Sequence, residues 1–308
     1  MAKQKRGRFQ SKLELYAVRG IVGAFGLLPR RASMNFGASV GRFAQKFGGK
    51  LNRTANKNLA IALPNLSEVE KQKIIRGCFE SLGRQLGLIS QFPKIKAEDA
   101  HDFLEVEGKE NFDCAFARGK GVIFFTGHFG NWEIFNLVPP AFGYVMHILV
   151  RRIDNPLVEN YVESLRTRFG CRTIDKKTSA RTMFRLLQNG EILGIVADLN
   201  AQEREGVFVD FFGIPASTTT GLAKLALRTD AAVLPAFVIW QPDKQKYLLK
   251  LEPAVEFDKT EDDSSDVREL TQKVTKVIEK FVRLHPEQWM WIHKRWNTRP
   301  PEMPSLYE

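Results

Sequence analysis

The sequence predicts an α/β fold: a mixed central sheet flanked by helices and preceded by a helical N-terminal annex. Three observations carry this expectation. Short apolar runs such as GVIFFTG (121–127) and AAVLPAFVIW (231–240) end on turn residues, as strands covered on both faces do. Segments with helical spacing separate those runs, the pattern of a sheet with helices packed on it. The first hundred residues carry helical periodicity and few strand signals.

The annex is assigned to residues 1–30. Lys3, Lys5, Arg6, Arg8 and Lys12 precede the first acid, Glu14. The apolar segment Leu13 to Arg31 is interrupted by Glu14 and Arg19, and its uninterrupted part runs only from Ile21 to Leu28. A spanning helix needs about 20 apolar residues. A short apolar helix with a basic flank instead suits a segment lying in the membrane interface. The alternative is an N-terminal helix packed on the domain. No small-x-small cleavage site precedes Pro29-Arg30-Arg31, so a signal peptide fits poorly.

Residues 31–308 are expected to form one α/β domain. Residues 32–66 read as helix with glycine interruptions. Ser67 followed by Glu70 is a capping-box start, and Ile74, Ile75, Phe79, Leu82, Leu86 and Ile89 continue at helical spacing until Phe92-Pro93. A strand is expected over 103–108 and a short helix ending at Gly119. Strands follow over 121–127 and 144–150, then helices over 155–170 and 178–189. The strand 191–200 comes next, then an extended segment over 206–213 and a helix over 218–228. Two strands (231–240 and 246–255) and a long helix, 267–284, complete the order, with EDDSSD (261–266) as the loop before that helix.

Net charge is +11, which favours anionic partners such as nucleic acid, acidic headgroups, phosphorylated small molecules or an acidic carrier protein. The three cysteines are scattered with no C-x-x-C pair, so neither a disulfide framework nor a zinc cage is expected. Nothing in the sequence calls for a cofactor or a metal. Nucleic acid is disfavoured because neither zinc-finger spacing nor an aromatic RNA-binding signature is present.

In open α/β sheets, functional groups gather past the carboxyl ends of strands. His128 stands there after GVIFFTG, Asp198 after EILGIVA, and Arg151 and Arg152 after YVMHILV. Of the five histidines only His128 has an acid five residues on, Glu133. A carboxylate beside an imidazole fixes its tautomer and stabilises its cation, so His128 is a candidate general base with Glu133 as its orienting partner. Gly127 and Gly130 leave backbone free to turn and to bring N–H groups near an oxyanion. Arg152 is read as a solvated neighbour. A turn histidine capping a helix is the competing reading.

GHFGNWE also resembles the His-x4-acid motif of the glycerolipid acyltransferase superfamily. A fuller set is similar to the late acyltransferases of lipid A biosynthesis: Arg151, DNP (154–156), ADLN (197–200), the segment 206–226, VLPAF (233–237) and PEQWMWIHKRW (286–296). The resemblance covers essentially the whole chain. It implies a glycerol-phosphate-acyltransferase-like fold and transfer of a fatty acyl group from a thioester, on acyl carrier protein or CoA, to a hydroxyl of an anionic phosphorylated glycolipid. It places that reaction at the cytoplasmic face of a bacterial inner membrane.

Position by position, the resemblance makes His128 the base and Glu133 its partner. Arg166 in SLRTRFG and Asp198 in ADLN become supporting residues, Arg151 a phosphate or headgroup ligand, and Asn131 and Gly130 further supporting positions. FVDFFGIP (208–215) and VIFF (122–125) are candidate walls for an acyl groove, with strand core as the alternative. Trp289, Trp291 and Trp296 beside His293, Lys294 and Arg295 suit either an interfacial belt or a lid packed on the core. Another phospholipid or glycolipid acceptor and a thioester hydrolase remain rivals. The hydrolase lacks a G-x-S-x-G elbow. Cys114 and Cys171 are its possible nucleophiles, and Ser217 reads as part of a helix start.

Overall fold

The computed structural model describes residues 7–137, 142–176 and 180–307. Lys3, Lys5, Arg6 and the first residues of the helix expected from Thr178 lie outside them. Four helices open the chain: α1 (Arg8–Gly26), α2 (Arg30–Phe47), α3 (Gly49–Ala62) and α4 (Glu68–Ile89). The expected capping box closes α4: the Ser67 side chain accepts from the Glu70 N–H while the Glu70 carboxylate accepts from the Ser67 N–H.

Beyond them come β1 (Leu104–Glu107), α5 (Lys109–Ala117), β2 (Val122–Thr126), β3 (Met146–Val150), α6 (Pro156–Arg166), β4 (Arg172–Asp175) and α7 (Ala180–Gln188). The remainder is β5 (Ile192–Val196), β6 (Gly206–Phe211), β7 (Ile214–Thr219), α8 (Gly221–Thr229), β8 (Ala232–Gln241), β9 (Lys246–Leu251) and α9 (Asp263–Leu284). Seven strands form one sheet in the order β1-β9-β8-β2-β5-β3-β4, and β6 and β7 make a separate hairpin. All neighbours in the large sheet are parallel except β8 and β9.

The central strand β2 is buried at every position. Val122 and Phe124 face one core cluster, Ile123 and Phe125 the other, which is why its apolar run does not alternate with polar residues. Helix α9 covers the second face, where Phe281 stacks on Phe237 of β8 at 3.8 Å between ring centroids. That cluster also holds Trp289, Trp291 and Trp296.

Two strands were not anticipated. β4 is a short edge strand. β7 occupies the segment read as a helix start, because Pro215 to Thr219 pair with β6 and the helix begins only at Gly221. Ser217 is thus a buried strand residue. The EDDSSD stretch is not wholly loop: Asp262 is an N-cap whose side chain accepts from the Ser264 and Ser265 N–H groups, and α9 starts at Asp263.

Helix α1 lies against the protein over part of its length. The Asn155 side chain donates to the Ser11 carbonyl (3.0 Å) and to the Glu14 carboxylate (2.7 Å). The Arg19 guanidinium sits over the Tyr161 ring at 5.2 Å. No described helix is long and apolar enough to cross a membrane.

Candidate active site

The site is built by strand register. β2 and β5 are adjacent and parallel, with Thr126 opposite Val196. Two residues further on, the same register brings residue 128 opposite residue 198. The His128 N–H donates to Asp198 Oδ2 at 2.7 Å, and His128 Nδ1 lies 2.7 Å from Asp198 Oδ1. The indole N–H of Trp289 donates to the same Oδ2, also at 2.7 Å.

Asp198 is buried, which on its own would push its carboxyl pKa up. The His128 charge and the hydrogen bonds from the His128 ring, Trp289 and the His128 backbone outweigh that burial and hold the carboxyl below its ordinary value. An ionised carboxylate at Nδ1 favours the tautomer with the proton on Nδ1, which leaves Nε2 as the basic nitrogen. The edge of His128 meets the Trp132 ring at 4.9 Å.

The carboxylate at Nδ1 is therefore not the one expected from spacing. Glu133 lies in a 3-10 turn, Trp132–Leu137, and its two oxygens accept from Arg166: Nε at 3.0 Å and Nη2 at 2.5 Å. A His-x4-Glu spacing places the acid in the next turn, whereas the β2–β5 register places Asp198 directly beside the ring. The Arg166 guanidinium is largely removed from solvent. Burial would lower its pKa, and pairing with Glu133 more than compensates, leaving it raised.

The turn at 127–131 also differs from expectation. Gly130 has φ +55°, and a Cβ there would stand 1.7 Å from the Val238 carbonyl oxygen, so only glycine fits. Three of the N–H groups that this turn was expected to offer an oxyanion are engaged. His128 N–H is held by Asp198, Phe129 N–H donates to the Gly127 carbonyl (2.7 Å), and Gly130 N–H donates to the Gln288 carbonyl (2.8 Å). Asn131 is fully buried beside Tyr247 of β9.

The C-terminal segment is a buried strap rather than an interfacial belt. Phe129 pairs with Trp289 as an isolated bridge, and the Met290 N–H donates to the His128 carbonyl at 3.0 Å. Trp289, Trp291, Trp296 and Arg295 are each no more than 2% exposed. Arg295 donates to the Ser217 carbonyl (2.8 Å) and Thr218 Oγ1 (2.5 Å), tying the strap to the β6–β7 hairpin. Burial brings its pKa down to about 10. The Asn58 amide of α3 donates to the carbonyls of Trp291 (2.6 Å) and His293 (2.7 Å), fixing the other side.

This strap brings in a residue that spacing could not reveal. The His293 Nε2 accepts from the Asn200 N–H at 3.2 Å, and the ring lies within electrostatic reach of both Asp198 and His128. Burial lowers its pKa, which favours the neutral ring. His293 and Asn200 line a cleft of ≈ 470 Å³ whose rim carries Lys50 and Lys294.

The arginines after β3 part company. Arg151 is exposed at the strand end. Arg152 is not a bare solvated neighbour: it bridges Glu159 (2.8 Å) and Glu163 (2.5 Å) of α6. The proposed acyl-groove walls are mostly core. Val122 to Phe125, Phe211 and Phe212 are all buried, while Phe208 borders an open cleft of ≈ 680 Å³ with Val207, Pro215 and Met303. Cys171 makes a poor nucleophile, because burial pushes its thiol up to about 12.

The chain is similar in sequence to known proteins. Over 288 residues, 91% of this chain and 90% of the relative, the sequence is 29% identical to the lipid A biosynthesis lauroyltransferase of Escherichia coli (strain K12). It is 27% identical to the palmitoleoyltransferase of the same organism over 94% of this chain and 92% of that one. Its myristoyltransferase is 24% identical over 86% and 80%. A family model described as bacterial lipid A biosynthesis acyltransferase matches residues 1–298, so the chain belongs to that family.

Proposed function

We propose that this enzyme, an O-acyltransferase by family, moves a fatty acyl group from an acyl thioester of carrier protein or CoA to a hydroxyl of a lipid A precursor, with His128 as general base. The observation that carries the proposal is the Nδ1–carboxylate contact of 2.7 Å between His128 and buried Asp198 at the ends of adjacent strands. His128 Nε2 takes the acceptor proton as the hydroxyl oxygen attacks the thioester carbonyl. The tetrahedral intermediate collapses, the C–S bond breaks, and the leaving thiolate takes the proton from the imidazolium.

Asp198 holds the tautomer and offsets the imidazolium charge. Glu133 acts through Arg166, keeping the 132–137 turn and Trp132 in place beside the ring. Arg151, exposed at the same sheet edge, is the proposed ligand for an acidic group of the acceptor. Residues 31–308 form the catalytic unit, and residues 1–30 contribute to attachment at the cytoplasmic face of the inner membrane. The absence of a crossing helix among the described residues fits peripheral attachment. Transfer of labelled acyl from carrier-protein thioester to a lipid A precursor tests this. Hydrolysis of the thioester without transfer would instead favour a hydrolase.

A further inference from the structure

The net charge of the protein resides in its first 67 residues. Between Met1 and Ser67 stand thirteen Lys and Arg and a single acid, Glu14, a balance of +12 against +11 for the whole chain. The other 241 residues together carry −1. The same region exposes apolar side chains in a regular pattern. Phe36, Val40, Phe43 and Phe47 follow one another at four, three and four residues, so they form one stripe along α2. Phe36 is 51% exposed, Phe43 60% and Phe47 74%. Phe43 and Phe47 meet edge to face at 5.1 Å.

The opposite face of α2 explains why this stripe looks outward. Ser33, Met34, Gly37, Ala38 and Gly41 are buried, and α2 packs on α4 through backbone contact. A Cβ on Gly37 would stand 2.2 Å from the Gly83 carbonyl oxygen of α4, and one on Gly83 would stand 2.0 Å from the Gly37 oxygen. Small residues therefore fix which side of α2 faces α4 and leave Phe43 and Phe47 exposed, while Phe36 also meets the Phe25 ring of α1 at 5.2 Å.

We infer that the Phe36–Phe47 face of α2 is the surface by which the enzyme sits on an anionic lipid bilayer. This deepens the proposed membrane attachment, which was assigned to residues 1–30, and rests on it. Two features select a bilayer over another partner. Arg31, Lys46 and Lys50 accompany the stripe in sequence, beside Arg42, which pairs with Glu80 at 2.7 Å, so acidic headgroups complement it, whereas a second copy would bring the same positive charge against it. Leu51 of α3, four residues after Phe47 and 41% exposed, lines the cleft that it shares with His293 and Asn200. The proposed lipid face thus ends at the cleft that His293 and Asn200 line.

The test compares the full chain with Phe43→Ser/Phe47→Ser and with Val69→Ser, an exposed apolar residue of α4, as control. Co-sedimentation uses vesicles of phosphatidylglycerol and phosphatidylethanolamine, and vesicles of phosphatidylcholine alone. The expected result is binding to the anionic vesicles that weakens with salt and falls about tenfold or more in the double variant, with Val69→Ser unchanged. The double variant keeps its Tm and its transfer to detergent-dispersed acceptor. His128→Ala binds vesicles as the wild type does, so a failure of the catalytic reading leaves this result standing. Unchanged partitioning of the double variant overturns the inference. So does light scattering that finds a dimer which the double variant abolishes.

Discussion

Replacing Asp198 by Asn changes one atom in a site where three donors converge. Oδ2 accepts from the His128 N–H and the Trp289 indole N–H, and Oδ1 faces His128 Nδ1. An Asn side chain can orient in two ways. With its oxygen at the Oδ2 position both N–H donors stay satisfied, and the NH₂ group points at Nδ1. With the amide reversed, two buried N–H donors face an NH₂ group, at a cost of about 1–3 kcal/mol each. The first orientation wins. It forces Nδ1 to accept a hydrogen bond, moves the ring proton to Nε2 and removes the base, together with the charge that stabilises the imidazolium.

A loss of about 10³ to 10⁴ in kcat follows, or about 4–5.5 kcal/mol of transition-state stabilisation. Single-turnover acyl transfer in detergent micelles measures it, with Tm and circular dichroism confirming the fold. A folded Asp198→Asn within threefold of wild type, on the order of 0.7 kcal/mol, would refute this assignment of the base. The same residue links stability to pH. Its folded pKa lies below the unfolded value of about 3.9, so it stabilises the protein fully above that value. The contribution is lost as pH falls through the folded pKa. The acid-unfolding curve of Asp198→Asn is accordingly shallower below about pH 4.

Further outcomes follow from the geometry. Glu133→Gln and Arg166→Lys each reduce transfer, and the double variant loses no more than the worse single one, because both break the same bidentate pair; additive losses in a double-mutant cycle would contradict this. Iodoacetamide labels native Cys114, which is exposed. Cys78 and Cys171, buried with thiols pushed up to about 12, react only on unfolding, as peptide mapping by mass spectrometry would record. Gly37→Ala destabilises the α2–α4 contact by about 1–3 kcal/mol, seen as a lower urea midpoint.

Much of this molecule is legible in the sequence where a single local rule decides. β2 was readable because both its faces are covered, and α4 because Ser67 and Glu70 close its first turn. The strand-end positions of His128, Asp198 and Arg151 followed from the same reasoning. What local rules could not supply is the register between β2 and β5, and that register chooses Asp198 over Glu133 as the partner of the ring. The burial of Trp289 and the approach of His293 depend on a strap that returns to residues 128–130 from the far end of the chain. β7 was hidden because Ser217 to Thr220 have the chemistry of a helix cap, yet pairing with β6 takes them first. The exposed stripe on α2 was obscured by glycines that looked like interruptions and are instead the packing face.

The role of His128 as the base is tested most directly by acyl transfer by the wild type and by His128→Ala, side by side. It uses a labelled acyl-carrier thioester, a lipid A precursor and detergent micelles. The expected result is transfer by the wild type and a loss of at least about 10³-fold in a variant that keeps its Tm. Equal transfer by both proteins would remove His128 from the chemistry and leave the Asp198 contact as an element of the fold.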